Sequence, residues 1–197
     1  GSSASVGPAW DFQDHTVDHS ILTTLSNDSI VNQLLAMNYI FKAHGLPEPL
    51  HLAYPWGDHD GRVVSIVSQY RLSGRTASYS SPPTNPDWYR LPVVPIVRGS
   101  ELSVIINEID RAIQLKGLMN IFTHYVAPDG DCTPEMLEAI LDYVIYQQNL
   151  GNLQVMTMSQ AYEQYNGQKA VVVFSFDDAW VTDYTTVWPM FMERGLA

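Results

Sequence analysis

Three short stretches carry residue types that could do chemistry together. Ala170-Val171-Val172-Val173-Phe174-Ser175-Phe176 is the strongest strand pattern in the chain, and it runs straight into Asp177-Asp178. Two adjacent carboxylates after an apolar strand are costly to place beside a core unless they have a task. The competing reading is an Asp that caps a following helix. His15-Thr16-Val17-Asp18-His19 spaces two imidazoles four residues apart, which on a helical turn lets them share one ion. A pair of surface histidines is the plainer alternative. His124 closes a second apolar run, Ile121-Phe122-Thr123. A lone His there is more often a satisfied rim residue than a catalyst. Together the three stretches supply two imidazoles and a carboxylate for a metal, a spare carboxylate and a spare imidazole. That inventory suits metal-assisted hydrolysis, which needs three protein ligands, an open position for water, a base and an acid.

The elements around these residues must bring them together. A helix starts near Ser26 or Asn27, carries Ile30, Leu34, Leu35 and Ile40 at helical spacing, and stops at Gly45. His51 to Tyr54 reads as a strand halted by Pro55 and Gly57. Arg62 to Tyr70 reads as helix, 71–77 as strand, and 79–90 as a Ser/Pro/Asn-rich loop. Glu101 to Leu115 is an amphipathic helix ended by Gly117, and Leu118 to Thr123 is a buried-type strand. Thr133 caps a helix to about Leu150, with Pro134 in its first position. Leu153 to Met156 is a short strand, a helix starts at Ser159, and Tyr184 to Glu193 is the last helix. Strands alternating with helices indicate an α/β fold with a largely parallel sheet, whose chemistry sits at the carboxyl ends of the strands. Residues 1–9 read as a flexible tail or an expression remnant, and 10–197 as one domain.

Composition narrows the function. The chain has 197 residues, 10 Lys+Arg against 21 Asp+Glu, and a net charge of −11. Nucleic acid and anionic membrane surfaces both demand clustered cations, which this chain lacks. No apolar run approaches the roughly 20 residues of a membrane span. One cysteine, Cys132, excludes an internal disulfide and a thiolate metal cluster, so any metal here uses His and carboxylates.

The motifs resemble those of the polysaccharide deacetylases of the NodB-homology type (carbohydrate esterase family 4). The matching residues are Ser175-Phe176-Asp177-Asp178, His15-Thr16-Val17-Asp18-His19, the Pro-aromatic-Gly loop Tyr54-Pro55-Trp56-Gly57, and the late strand ending in His124. Their order departs from the family's. There the F-D-D strand comes first; here it comes last and the others keep their sequence, as in a circular permutation joined at Tyr165-Asn166-Gly167-Gln168. The family's strand and helix between F-D-D and HTxxH are not seen in these residues: either part of the barrel is missing, or that segment belongs to the parent protein and not to this chain. The implied fold is therefore a distorted, incomplete (β/α) barrel, circularly permuted, with a sheet edge that a second copy of the chain could cover. A second departure is Ala53, where many members carry an Arg that steadies the catalytic Asp. Arg75, at the end of the next strand, is expected to reach that carboxylate instead, with a solvated surface Arg as the alternative.

The resemblance implies roles. Asp178, His15 and His19 would hold a divalent metal, zinc first, with cobalt or nickel compatible. Such a metal polarises the acetyl carbonyl and acidifies bound water. Asp177 would be the general base and His124 the general acid, with the Trp56 backbone N–H facing the oxyanion. Tyr54, Pro55, Trp56, Arg75 and Trp88 are the expected substrate-binding residues, since sugar rings stack on aromatic faces. The implied activity is removal of N-acetyl groups from an N-acetylglucosamine polymer such as chitin or peptidoglycan, outside the cell or in its envelope. An O-acetyl esterase acting on acetylated xylan and a catalytically impaired carbohydrate-binding domain are the rival readings.

Overall fold

The structure, a computed structural model, describes residues 10–196, so the expected tail over residues 1–9 lies outside the described residues. Its frame is a six-stranded sheet in the order β1-β2-β3-β4-β6-β5. The strands are β1 (His51–Ala53), β2 (Ser73–Tyr79), β3 (Leu91–Pro95), β4 (Leu118–Thr123), β5 (Leu153–Val155) and β6 (Ala170–Phe176). Every pairing is parallel. The helices are α1 (Asn27–Ala43), α2 (Gly61–Val67), α3 (Leu102–Leu115), α4 (Pro134–Asn149), α5 (Met158–Gln164) and α6 (Trp188–Glu193).

Both faces of the sheet are covered, as all-parallel sheets require. Along β4 and β6 the side chains alternate between two apolar clusters. Met119, Ile121, Ala170 and Val172 pack outward with Ile109 of α3 and Ile140 and Val144 of α4. Leu118, Val171 and Val173 pack inward with Leu91. Each fully buried Val contributes roughly 1.5–3 kcal/mol. A third cluster holds α1 and α2 on β1 through Ile30, Leu34, Leu52, Val63 and Val67. Leu35, expected on the buried stripe of α1, is 46 % exposed; it lies off the stripe that Ile30, Leu34 and Phe41 form.

The sheet curls into an incomplete (β/α) barrel. Asp14 adds a parallel bridge to Leu52 at the open side of β1. Yet His15, the next residue, lies within 3.6 Å of Asp178 beyond β6. In a flat sheet those strands would stand some 20 Å apart at about 4.8 Å per step.

β3 has no counterpart in the sequence reading, which assigns no element to residues 91–95; its Pro92 and Pro95 weaken a strand pattern. The structure accommodates them by a register irregularity between β2 and β3, and the Asn120 side chain donates to the Pro92 carbonyl at 3.2 Å. The last helix also differs from the expected Tyr184–Glu193. A π-helical turn over Asp183–Val187 precedes α6. Helix caps follow the sequence logic: Ser26, Asp60, Thr133 and Thr157 each accept a backbone N–H at a helix start.

Candidate metal centre

Strand alternation decides which side chains enter the barrel mouth. Val171, Val173, Ser175 and Asp177 share one face of β6 and its extension, and Leu118, Asn120, Phe122 and His124 share the matching face of β4. Phe122 pairs with Ser175 and Thr123 with Phe176, and the Asp177 N–H donates to the Thr123 carbonyl at 3.1 Å. Asp177 and His124 thus leave neighbouring strands at the same level.

Asp178 follows with φ 70° and Ala179 with φ 49°. This left-handed turn swings Asp178 off the strand line toward the histidines. His15, His19 and Asp178 each present a ligand atom within 4.8 Å of the others. The His15 ring lies edge-on to His19 at 4.8 Å between centroids. The His15 Nδ1 is 2.8 Å from the Ala53 carbonyl, which fixes that nitrogen as the donor and leaves Nε2 facing the carboxylates. The His15 Nε2 stands 3.6 Å from Asp178 and 3.9 Å from Asp177. Two imidazoles and one carboxylate, with a second carboxylate alongside, fit a divalent cation of the zinc type. The HTVDH segment is not helical, so the expected helical face does not form; left-handed backbone at Thr16 (φ 64°) and His19 (φ 57°) brings the rings together instead.

Arg75 does not line a substrate surface. It is 6 % exposed, and its Nη2 donates to both Asp177 oxygens at 2.6 and 2.7 Å. Its guanidinium carbon lies 4.7 Å over the Phe122 ring. The contact spans from β2 to the end of β6, so the curl of the sheet is what makes it possible. His124 is oriented by Asp131, with Nδ1 3.2 Å from Oδ2. The sequence reading passed over Asp131; it sits in the Pro128–Asp131 turn, seven residues on, with no spacing signal of its own.

The aromatic residues divide. Trp56 is 70 % exposed, adopts φ 60°, and lies edge-on to His19 at 5.1 Å. Gly57 behind it has φ 69° and presses on the Ala77 backbone, where a Cβ would collide. Tyr54 and Pro55 are buried, contrary to the expectation that they meet substrate. The Tyr54 ring fills the space over Gly74 and its hydroxyl donates to the Tyr89 carbonyl at 3.1 Å. Trp88 lies at the opposite end of the sheet. It packs beside Leu91 and Leu118, 4.8 Å from Tyr162, and its carbonyl accepts from Gly74 at the start of β2. The 79–90 loop runs under the strands' amino ends, which its composition does not reveal.

Asp183, also unremarked in the sequence, is 9 % exposed with Oδ1 unpartnered. Burial pushes its carboxyl up to about 6, helped by the charges of Asp177 and Asp178. Asp14 is buried beneath the histidine loop against Arg71, both side chains fully enclosed. Burial pushes the Asp14 carboxyl up, and Arg71 offsets part of that cost. Burial raises the Cys132 thiol to about 12, which removes it as a ligand or nucleophile.

Comparisons with known proteins reach part of the chain. Residues 4–74 match the family model described as polysaccharide deacetylase. That stretch contains His15, His19 and the Pro55-Trp56-Gly57 turn, and stops one residue before Arg75. Among solved structures, the chain is similar to the Streptococcus pyogenes deacetylase PplD in complex with acetate, at 21 % identity and a TM-score of 0.44. The alignment covers 49 % of this chain and 43 % of that one, so the chain spans less than half of that protein's length. No curated protein matches. No described helix is long and apolar enough to cross a membrane. The histidine loop and the Pro-Trp-Gly turn both lie inside the segment, residues 4–74, that is similar to the polysaccharide deacetylase family.

Proposed function

We propose that the protein is a metal-dependent hydrolase that removes acetyl groups from the N-acetylglucosamine units of a polysaccharide such as chitin or peptidoglycan. The observation that carries this reading is the convergence of His15, His19 and Asp178 within 4.8 Å, with Asp177 held beside them by Arg75. His15, His19 and Asp178 would hold the cation, zinc by donor chemistry, with cobalt or nickel compatible. When bound, it supplies a Lewis acid for the acetyl carbonyl and acidifies a water.

The chain's own residues do the rest. Asp177 accepts the proton of the attacking water, its carboxylate fixed in orientation by Arg75. His124 gives a proton to the departing amine nitrogen, and Asp131 holds its ring so that Nε2 faces the mouth. The Trp56 N–H, on its left-handed turn, donates to the oxyanion as the carbonyl becomes tetrahedral. The exposed Trp56 and Trp180 faces are available to sugar rings at the rim. The order of the motifs along the chain reads as a circular permutation of the family's. Because such polymers lie outside the cytoplasm, we place the protein in the envelope or beyond.

The test is release of acetate by the zinc-loaded protein. We expect release from N-acetylglucosamine oligomers, lost in Asp177→Asn with zinc still bound. Release from acetylated xylan alone would make the enzyme an O-acetyl esterase. Glycan binding with no acetate from either would make it a binding domain.

A further inference from the structure

The Asp14–Arg71 pair is more enclosed than any other ion pair of the described residues, and it sits directly under the histidine loop. Both side chains are 0 % exposed. Arg71 donates from Nε and Nη2 to Asp14 Oδ2 at 2.9 and 2.7 Å, from Nη2 to the Leu34 carbonyl of α1, and from Nη1 to the Tyr70 carbonyl. All of its contacts on Asp14 fall on one carboxylate oxygen. The other, Oδ1, accepts the Thr16 N–H at 2.7 Å. Asp14's own backbone is pinned to β1, its N–H to the His51 carbonyl and its carbonyl to the Ala53 N–H.

His15 is therefore bracketed. The residue before it is locked to the sheet and to Arg71, and the residue after it is held by Asp14 Oδ1 in a left-handed conformation that a β-branched Thr rarely adopts. The His15 ring is in turn tied to the Ala53 carbonyl. We infer that Asp14, braced by Arg71, is a positioning residue for the metal centre: its Oδ1 bond to Thr16 sets the backbone turn that aims His15 and His19 at a common point. This rests on the reading of those histidines as metal ligands. An enclosed ion pair adds little to stability over an apolar pair of similar shape, so its worth here lies in the geometry it imposes.

Two full-length double variants separate aim from fold. Asp14→Asn with Arg71→Met removes both charges but keeps an oxygen for the Thr16 N–H. Asp14→Leu with Arg71→Met removes both charges and that oxygen. Zinc alone is the probe, by competition titration, with cobalt absorption as the spectroscopic readout and metal-free Tm as the check on folding. The Leu/Met variant should bind zinc at least tenfold more weakly than the unchanged chain and show an altered cobalt spectrum, the size expected for a lost outer-shell partner. The Asn/Met variant should stay within about threefold of the unchanged chain. Equal zinc affinity for the two variants overturns the inference. Should neither variant fold, amide exchange at Thr16 in the unchanged metal-free chain decides. Exchange slowed at least tenfold relative to Asp18, whose backbone lies on the exposed side of the loop, supports it, and unslowed exchange overturns it. Failure of the unchanged chain to bind zinc removes the metal reading itself, and this inference with it.

Discussion

Among the described residues, five non-glycine residues at the carboxyl ends of the strands, Thr16, His19, Trp56, Asp178 and Ala179, take left-handed backbone; at the amino ends Lys116 alone does, where it terminates α3. The same contrast runs through the side chains. The upper rim exposes Trp56 and Trp180 and crowds Asp177, Asp178 and Asp183 together, with one Arg among them. At the lower end the aromatics are tucked in. Trp88 meets Tyr162, and the Tyr165 hydroxyl reaches the carbonyls of Lys116 (2.8 Å) and Pro83 (3.1 Å). Left-handed backbone on side-chain-bearing residues costs on the order of 1–3 kcal/mol each, and such cost gathers where a site needs it. The upper end spends stability on arrangement, while the lower end supplies it.

Substitutions at the two ends should therefore separate activity from stability. The largest effect belongs to Asp177→Asn. Removing the base should lower kcat by about 10²–10⁴-fold, with zinc content unchanged; a steady-state assay beside metal analysis checks this. Trp88→Ala should do the reverse. It should cost about 2–4 kcal/mol in urea unfolding, below the full value for a wholly buried Trp, with KM for the oligomer unaltered. A raised KM would return Trp88 to the substrate surface.

The third test concerns the crowding of carboxylates above. Asp183 binds its proton more tightly in the fold than in the unfolded chain, since burial lifts it to about 6 from an ordinary 3.8. The folded state then holds the extra proton, so its contribution is present below pH 4 and is lost as pH rises through about 6. Metal-free protein should become less stable between pH 4 and 6, and Asp183→Asn should flatten that slope. The smallest effect is Tyr165→Phe at the lower end, roughly 1 kcal/mol for one lost hydroxyl bond, with no change in activity.

How much of this was readable from residues alone follows the same division. The histidine pair, the Phe176-Asp177-Asp178 strand end and His124 announce themselves, because ligands and bases must be particular residue types near strand ends. The bounds of β4 and β6 match the residues that alternate between two apolar clusters. The resemblance pointed Arg75 at the carboxylate that Ala53 leaves unsteadied, and it reaches Asp177; the curl that carries it there is a property of the whole sheet. Asp131, Asp14 and Asp183 carry no signal, since a carboxylate's worth depends on what the fold sets beside it, and Arg71 lies 57 positions from Asp14. Trp88 was misplaced for the same reason, as composition marks the 79–90 loop but not the end of the sheet it runs across. β3 was hidden by its two prolines.

The unity of the upper site, built from residues near opposite ends of the chain, is most directly tested by zinc stoichiometry. The unchanged chain should bind one zinc ion, and His15→Ala and Asp178→Ala should each weaken it at least a hundredfold. Undiminished binding in Asp178→Ala would show that the histidine loop holds metal without the β6 turn, and would contradict a shared centre.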